Sequence, residues 1–230
     1  MKHLPNFLTC LNLLSGCVAV VFVTRGDLHT GCLLVFLAAF FDFLDGLAAR
    51  ALNAWSSIGK DLDSLADVIS FGLVPGLILY RLFLPDVQQY TPGEEWAFSG
   101  FLITVFSALR LAKFNVDESQ KNRFMGLPTP ACGLFIASLP FVPEVVPSTE
   151  ELIGNPFFLL LITLLMSFLL VAPIPLPSLK FSPEDRAGNR LRYIFLGICL
   201  LLILLLKFAA IPVIIVLYLF TPLFFRNKKV

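Results

Sequence analysis

The chain has 230 residues, of which 57% are hydrophobic and only 14% charged, and its net charge is +1. Soluble domains carry about 25% charged residues, and nucleic-acid binders display strongly basic surface, so this balance excludes both and leaves a multi-span membrane protein. Crossings of about 20 apolar residues each consume most of the length, so residues 1–230 are expected to form one membrane domain.

Met1 to Thr9, with Lys2, His3, Pro5 and Asn6, reads as a short interfacial segment. The apolar run after Phe7 ends in Val-Thr-Arg-Gly instead of a small-residue cleavage site, so it reads as a first span and not as a secretory signal. Apolar runs predict eight spans, centred near Ala19, Phe40, Leu73, Phe106, Phe135, Leu164, Leu200 and Ile215. Between Tyr193 and Phe225 the only interruptions are Lys207 and Pro212. That stretch is too long for a single crossing and predicts a tight helical hairpin. With this topology, 14 of the 17 Lys and Arg residues fall on the side of both termini. They are Lys2, Arg50, Lys60, Arg110, Lys113, Lys121, Arg123, Lys180, Arg186, Arg190, Arg192, Arg226, Lys228 and Lys229. Only Arg25, Arg81 and Lys207 fall on the other side, where Asp86, Glu94, Glu95, Glu144, Glu150 and Glu151 collect. The positive-inside rule then makes both termini cytoplasmic. Five cysteines are scattered through apolar segments without a CxxC spacing and read as packing residues.

The chemistry-bearing stretch runs from Asp42 to Asp67, where the second and third spans meet the cytoplasmic side. Asp42 and Asp45 are three apart and diverge by about 60° around a helix, while Asp63 and Asp67, four apart, diverge by about 40°. Each pair shares a helix face. A carboxylate at mid-bilayer costs roughly 2.5 to 3.5 kcal/mol on insertion scales, so four of them need compensation. Two divalent cations balance four aspartates, and all-oxygen ligation with no His or Cys nearby suits Mg²⁺ or Mn²⁺. Gly46 and Gly59 allow close backbone approach, Arg50 offers a guanidinium to a phosphate, and Ser56 and Ser57 can donate hydrogen bonds. Together these residues describe a two-metal phosphoryl-transfer site. Ordinary helix-end ion pairs of Asp42 and Asp45 with Arg50, and of Asp63 with Lys60, would explain one pair of acids but not both pairs on consecutive spans.

The pattern D-x2-D-G-x2-A-R-x8-G-x3-D-x3-D is formed by Asp42, Asp45, Gly46, Ala49, Arg50, Gly59, Asp63 and Asp67. It resembles the signature of the CDP-alcohol phosphatidyltransferase family at every fixed position. The resemblance implies an all-α integral membrane bundle, a six-helix core plus two further spans, acting as a homodimer on CDP-diacylglycerol at the cytoplasmic face. It assigns one metal to Asp42, Asp45 and Asp63 and a second to Asp42, Asp63 and Asp67, with Asp67 also the general base. Gly46, Ala49, Arg50, Ser56 and Gly59 fall to the CDP-diacylglycerol.

The signature does not name the acceptor alcohol. Pro5-Asn6-Phe7-Leu8-Thr9 with Asn12-Leu13, Ser70-Phe71-Gly72, the run Ala108 to Asn115, and Gly126 to Pro130 resemble the membrane-spanning, serine-using branch of the family. That resemblance covers most of residues 1–135. Serine carries a carboxylate that inositol lacks, so a basic residue is required in its pocket: Arg110 first, then Lys113 and Asn115. Lys113 stands where the branch has Arg, which keeps the charge and loses the bidentate fork. The bland reading has Arg110 and Lys113 merely ending the fourth span. Asn6 and Thr9 read either as cytidine contacts or as caps of the first helix. Rival functions are the same chemistry on inositol or glycerol 3-phosphate, an ether-lipid donor, and a divalent cation transporter. All four acids lie near one membrane face beside Arg50 and Lys60, which disfavours transport.

Overall fold

The computed structural model describes residues 3–54, 56–84, 94–116, 124–176 and 186–224. Lys2, Asp86, Lys121, Arg123, Lys180, Arg226, Lys228 and Lys229, used above to orient the chain, lie outside the described residues.

Helix α1 (Leu4–Thr24) opens with Pro5 in its first turn, where a missing N–H costs nothing. Leu4 to Thr9, expected as an interfacial segment, belong to this helix. His3 occupies the cap position without a side-chain bond, so neither Asn6 nor Thr9 caps α1. Gly26 (φ 90°) ends the helix in the left-handed region. The Asp27 carboxylate then accepts from the Thr30 N–H at 3.0 Å and caps α2 (Leu28–Ala51). That bond holds Asp27 below the usual carboxylate range. The buried stripe of α1 (Thr9, Asn12, Ser15, Gly16, Ala19, Val23) is small or polar, and α2 answers with Gly31, Cys32, Val35 and Ala38. Small residues let two membrane helices approach closely.

Asn53 (φ 47°) turns the chain out of α2. Helix α3 (Ser57–Asp67) starts at Ser56, whose Oγ accepts from the Gly59 N–H at 3.0 Å. A π-helical turn (Val68–Leu73) carries the chain without a break into α4 (Val74–Phe83). A 3₁₀ segment (Glu94–Phe101) leads into α5 (Leu102–Val116). Next come β1 (Phe124–Met125), α6 (Thr129–Ser138), a 3₁₀ turn (Leu139–Phe141), α7 (Val142–Val145) and α8 (Glu150–Ile153). After these lie α9 (Pro156–Val171), β2 (Pro175–Leu176), α10 (Arg186–Leu206) and α11 (Ala210–Phe224).

Among the described residues, five helical runs are long and apolar enough to cross a membrane: Leu4–Thr24, Leu28–Ala51, Ser57–Phe83, Glu95–Val116 and Arg192–Thr221. The bent pair Pro147–Ile153 and Pro156–Val171, angled by 77°, makes a sixth if it counts as one span. The expected span near Phe135 is a shorter apolar helical run, Thr129–Val145, because Pro140 and Pro143 divide it into short pieces. The last stretch is not straight. Lys207 takes a φ of 51°, and the rings of Phe195 and Tyr218 lie 6.5 Å apart, whereas a continuous helix would separate them by about 35 Å. The chain thus turns back at Lys207, as its interruption of the apolar run predicts.

Phe71, Ile78, Leu79, Phe83, Ile103, Leu127, Ile136 and Leu159 are fully buried and form the centre of the bundle. Phe40, Phe43, Phe157, Leu161, Phe168 and Leu204 are exposed. An apolar exterior around a packed apolar centre is an arrangement for lipid, and the chain is an integral membrane protein. Cys32 and Cys132 pack in the interior, whereas Cys10 and Cys17 face outward. At the end of α2 remote from the aspartates, His29 meets Glu144 and stands edge-on to Phe141. Phe36, Phe141 and Phe208 continue this aromatic contact.

β1 and β2 pair antiparallel. Beside them Gly126 (φ 75°) donates to Ile174 O at 3.0 Å, and Leu127 donates to Leu169 O at 2.9 Å. A Cβ on Gly126 would fall 2.8 Å from Leu170 O. Gly126→Ala will therefore lower stability by at least about 1–2 kcal/mol from backbone strain alone, read as a lower midpoint of thermal unfolding in detergent.

Candidate active site

Helices α2 and α3 bring the carboxylates together. Asp42, Asp63 and Asp67 present oxygens that all lie within 4.8 Å of one another. Asp67 is only 6% exposed and Asp45 7%. Asp63 Oδ1 is buried and has no hydrogen-bond partner among the described residues. Three convergent carboxylates, one with an unpartnered buried oxygen and none at bonding distance from a cationic side chain among the described residues, fit a hard divalent cation held by oxygen ligands. Asp45 stands beside this trio instead of within it, and its Oδ2 accepts from Thr9 Oγ1 at 2.7 Å.

The first helix supplies the donors. Besides Thr9, Asn12 donates through Nδ2 to Asp67 Oδ1 at 3.4 Å. Ser70 Oγ in turn donates to the backbone carbonyl of Asn12 at 3.1 Å. Sequence reasoning offers Thr9 to the nucleotide or to a helix cap and gives Asn12 no role. The signal is the buried polar spacing Thr9, Asn12, Ser15 along one face of a membrane helix, where an unpaired polar group is costly.

A cavity of about 560 Å³ opens beside the carboxylates. Pro5, Asn6 and Thr9 of α1, Asp45, Gly46 and Ala49 of α2, and Ser56, Ser57, Gly59, Lys60 and Asp63 of the α3 region line it, with Phe114 from α5. Every residue assigned to the CDP-diacylglycerol thus borders this space except Arg50, whose guanidinium lies over Gly46, about 3.7 Å from where a Cβ would stand. Ser56 spends its oxygen as acceptor in capping α3 and keeps its hydroxyl proton to donate. Asn6 Oδ1 and Ser56 Oγ both crowd Gly59, each 2.9 Å from a would-be Cβ, so only glycine leaves room there.

A second cavity, of about 160 Å³, is lined by Arg110, Lys113, Met125 and Leu170 to Pro173. Arg110 donates to Thr129 Oγ1 at 3.1 Å and lies within electrostatic reach of Asp67. Its Nε is buried with no partner among the described residues. Asn115, grouped with Arg110 and Lys113 by sequence, is elsewhere: its Nδ2 donates to Ser64 Oγ at 2.8 Å, and its carbonyl accepts from Lys60 Nζ at 3.1 Å. Those bonds tie α5 to α3.

The sequence matches the CDP-alcohol phosphatidyltransferase family over residues 2–174. This chain belongs to that family. The match runs well past residue 135, through α9, and leaves α10 and α11 outside. A CDP-diacylglycerol--serine O-phosphatidyltransferase of Bacillus subtilis is 32% identical over 180 residues, covering 78% of this chain and 93% of the relative. The enzyme of that name from Helicobacter pylori is 31% identical over 179 residues, 76% of this chain and 72% of its own. An archaetidylserine synthase of Methanothermobacter thermautotrophicus is 36% identical over 137 residues, 59% of this chain and 56% of its own. The family, the carboxylate trio and the flanking cavities together describe a membrane transferase.

Proposed function

We propose that this enzyme transfers the phosphatidyl group of CDP-diacylglycerol to the hydroxyl of L-serine, giving phosphatidylserine and CMP. The observation that carries this reading is the position of the carboxylates between two unlike cavities. Asp63 borders the larger one, and Arg110, which lines the smaller, lies within electrostatic range of Asp67 without pairing with it. The larger space accepts a nucleotide diphosphate, with Gly46 and Gly59 along its wall, Ser56 and Lys60 at its rim and the Arg50 guanidinium over Gly46. The smaller offers two cations to a carboxylate, while the C-terminal end of α9 at Leu170 and Val171 presents its negative pole to an ammonium. A zwitterionic amino acid fits that pair of walls, and a polyol does not use them.

The serine oxygen attacks the lipid-side phosphorus, the bond to the CMP oxygen breaks, and CMP leaves with the electron pair. Asp67 takes the hydroxyl proton, directly or through one water. Bound Mg²⁺ or Mn²⁺ would supply charge neutralisation for the diphosphate, held by Asp42, Asp45 and Asp63 at one position and Asp42, Asp63 and Asp67 at the other. Positioning and charge stabilisation provide most of the rate, since loose phosphoryl transition states need little early deprotonation.

In this reading the chain crosses the cytoplasmic membrane eight times, with both termini and the site on the cytoplasmic side. The basic asymmetry of the sequence and the turn at Lys207 support it. The working unit is a homodimer, as the family resemblance implies. An ether-lipid donor is the second reading, supported by the archaeal relative named for archaetidylserine.

Purified protein in detergent with Mg²⁺ or Mn²⁺ is expected to release CMP from CDP-diacylglycerol with L-serine, and not with inositol or glycerol 3-phosphate. Release with another alcohol would overturn the acceptor. No release with any of them would overturn the reaction.

A further inference from the structure

The general base sits on a scaffold that the reaction scheme does not use. Asn12 is completely buried, a costly position for an amide inside a membrane protein unless it is engaged. Its Nδ2 faces Asp67 Oδ1, the only sensible orientation, because an ionised carboxylate accepts and never donates. Its Oδ1 is buried and has no partner among the described residues. The backbone that carries the amide is fixed from behind. Ser70, also fully buried, donates to the Asn12 backbone carbonyl. Ser70 reaches α1 only because residue 16 is glycine, since a Cβ there would collide with the Ser70 hydroxyl.

Ser70 belongs to the π-helical turn Val68–Leu73 that begins right after Asp67. A wider turn inserts an extra residue and re-aims the side chains beyond it, and such turns concentrate at functional sites. Here Ser70 is directed onto α1, while the next residue, Phe71, packs against Gly133 of α6.

We infer that Asn12, braced by Ser70 and Gly16, is a positioning residue. It occupies one oxygen of Asp67, leaves the other to take the proton, and offers its own Oδ1 to an O–H or N–H of the acceptor substrate. The inference rests on the proposed transferase reaction and extends it to a residue that carries no charge and binds no metal.

The test uses the full chain in detergent, with Asn12→Leu, which keeps the volume, Asn12→Ala, and Ser70→Ala, which removes only the brace. Partners that orient a reactive ligand are worth 10–100-fold when removed. For both Asn12 variants kcat/KM for L-serine is expected to fall about 10–100-fold. The KM for CDP-diacylglycerol, and Mn²⁺ affinity followed by electron paramagnetic resonance, stay within about twofold of the unsubstituted enzyme. Ser70→Ala is expected to fall about 3–10-fold with the same split, and it decides the matter if the Asn12 variants do not fold. Unchanged kcat/KM would overturn the inference. A loss of Mn²⁺ affinity in step with activity would also overturn it, reducing Asn12 to a support of the metal ligands. Failure of the transferase reading shows separately, as absence of serine-dependent CMP release from the unsubstituted enzyme.

Discussion

Asp67→Asn abolishes turnover while CDP-diacylglycerol binding stays measurable, and Asp42→Asn weakens both metal and nucleotide binding. The two aspartates belong to one trio but sit differently in it. Asp67 is the more deeply placed, bonded to Asn12, within electrostatic range of Arg110 and absent from the lining of the larger cavity. Asparagine preserves its volume and removes the proposed base, and loss of a general base costs about 10²–10⁴-fold in rate. Asp42 is shared by both proposed metal positions, so its neutralisation removes a ligand from each. Equilibrium binding of CDP-diacylglycerol, compared with CMP release, checks the split. Equal binding loss in the two variants would refute the division of roles.

Arg110→Ala raises the KM for L-serine by about 10–150-fold and leaves the KM for CDP-diacylglycerol nearly unchanged. A hydrogen bond to a charged group is worth about 1.5–3 kcal/mol, which sets that range, and Arg110 is the cation that both lines the small cavity and lies within electrostatic range of Asp67. Arg110→Lys recovers part of the loss, because the charge remains while the planar fork is gone. Initial-rate kinetics with each substrate varied in turn decides the point. A parallel rise in the KM for CDP-diacylglycerol would assign Arg110 to the donor instead.

The features legible in the sequence are the local ones. Asp42 with Asp45 and Asp63 with Asp67 are helical spacings, so the convergence of carboxylates on two consecutive helices could be read without coordinates. The turn at Lys207 was legible because a single cation breaks a long apolar run. Contacts between distant segments were not. Thr9 reaches Asp45 across 36 positions and Asn12 reaches Asp67 across 55, and spacing within α1 says only that its polar residues share a face. Asn115 comes after Arg110 and Lys113 in sequence, yet it lies on the side of α5 that meets α3, where Ser64 claims it. The π-helical turn leaves no mark in Val68–Leu73 that distinguishes it from ordinary helix. The bend of 77° before α9 has a local cause in Gly154, Asn155 and Pro156, with Asn155 capping the new helix through the N–H groups of Phe157 and Phe158, but its size is not set by those residues alone.

The order of the pieces along the chain bears on how the protein is made. All four carboxylates, with Thr9 and Asn12, come from α1 to α3, whereas Arg110 arrives with α5 and the α9 wall later still. During synthesis Asp42 and Asp45 enter the bilayer ahead of the other two carboxylates, each at a cost of roughly 2.5 to 3.5 kcal/mol if it were centrally placed, while α3 and the acceptor-side helices are still to come. Pairing of α1 with α2 gives Asp45 its hydroxyl donor at once, and the arrival of α3 completes the cation-binding centre. The acceptor side is then built onto a finished half, so the nascent chain passes through its most polar membrane state early, when only α1 is there to relieve it.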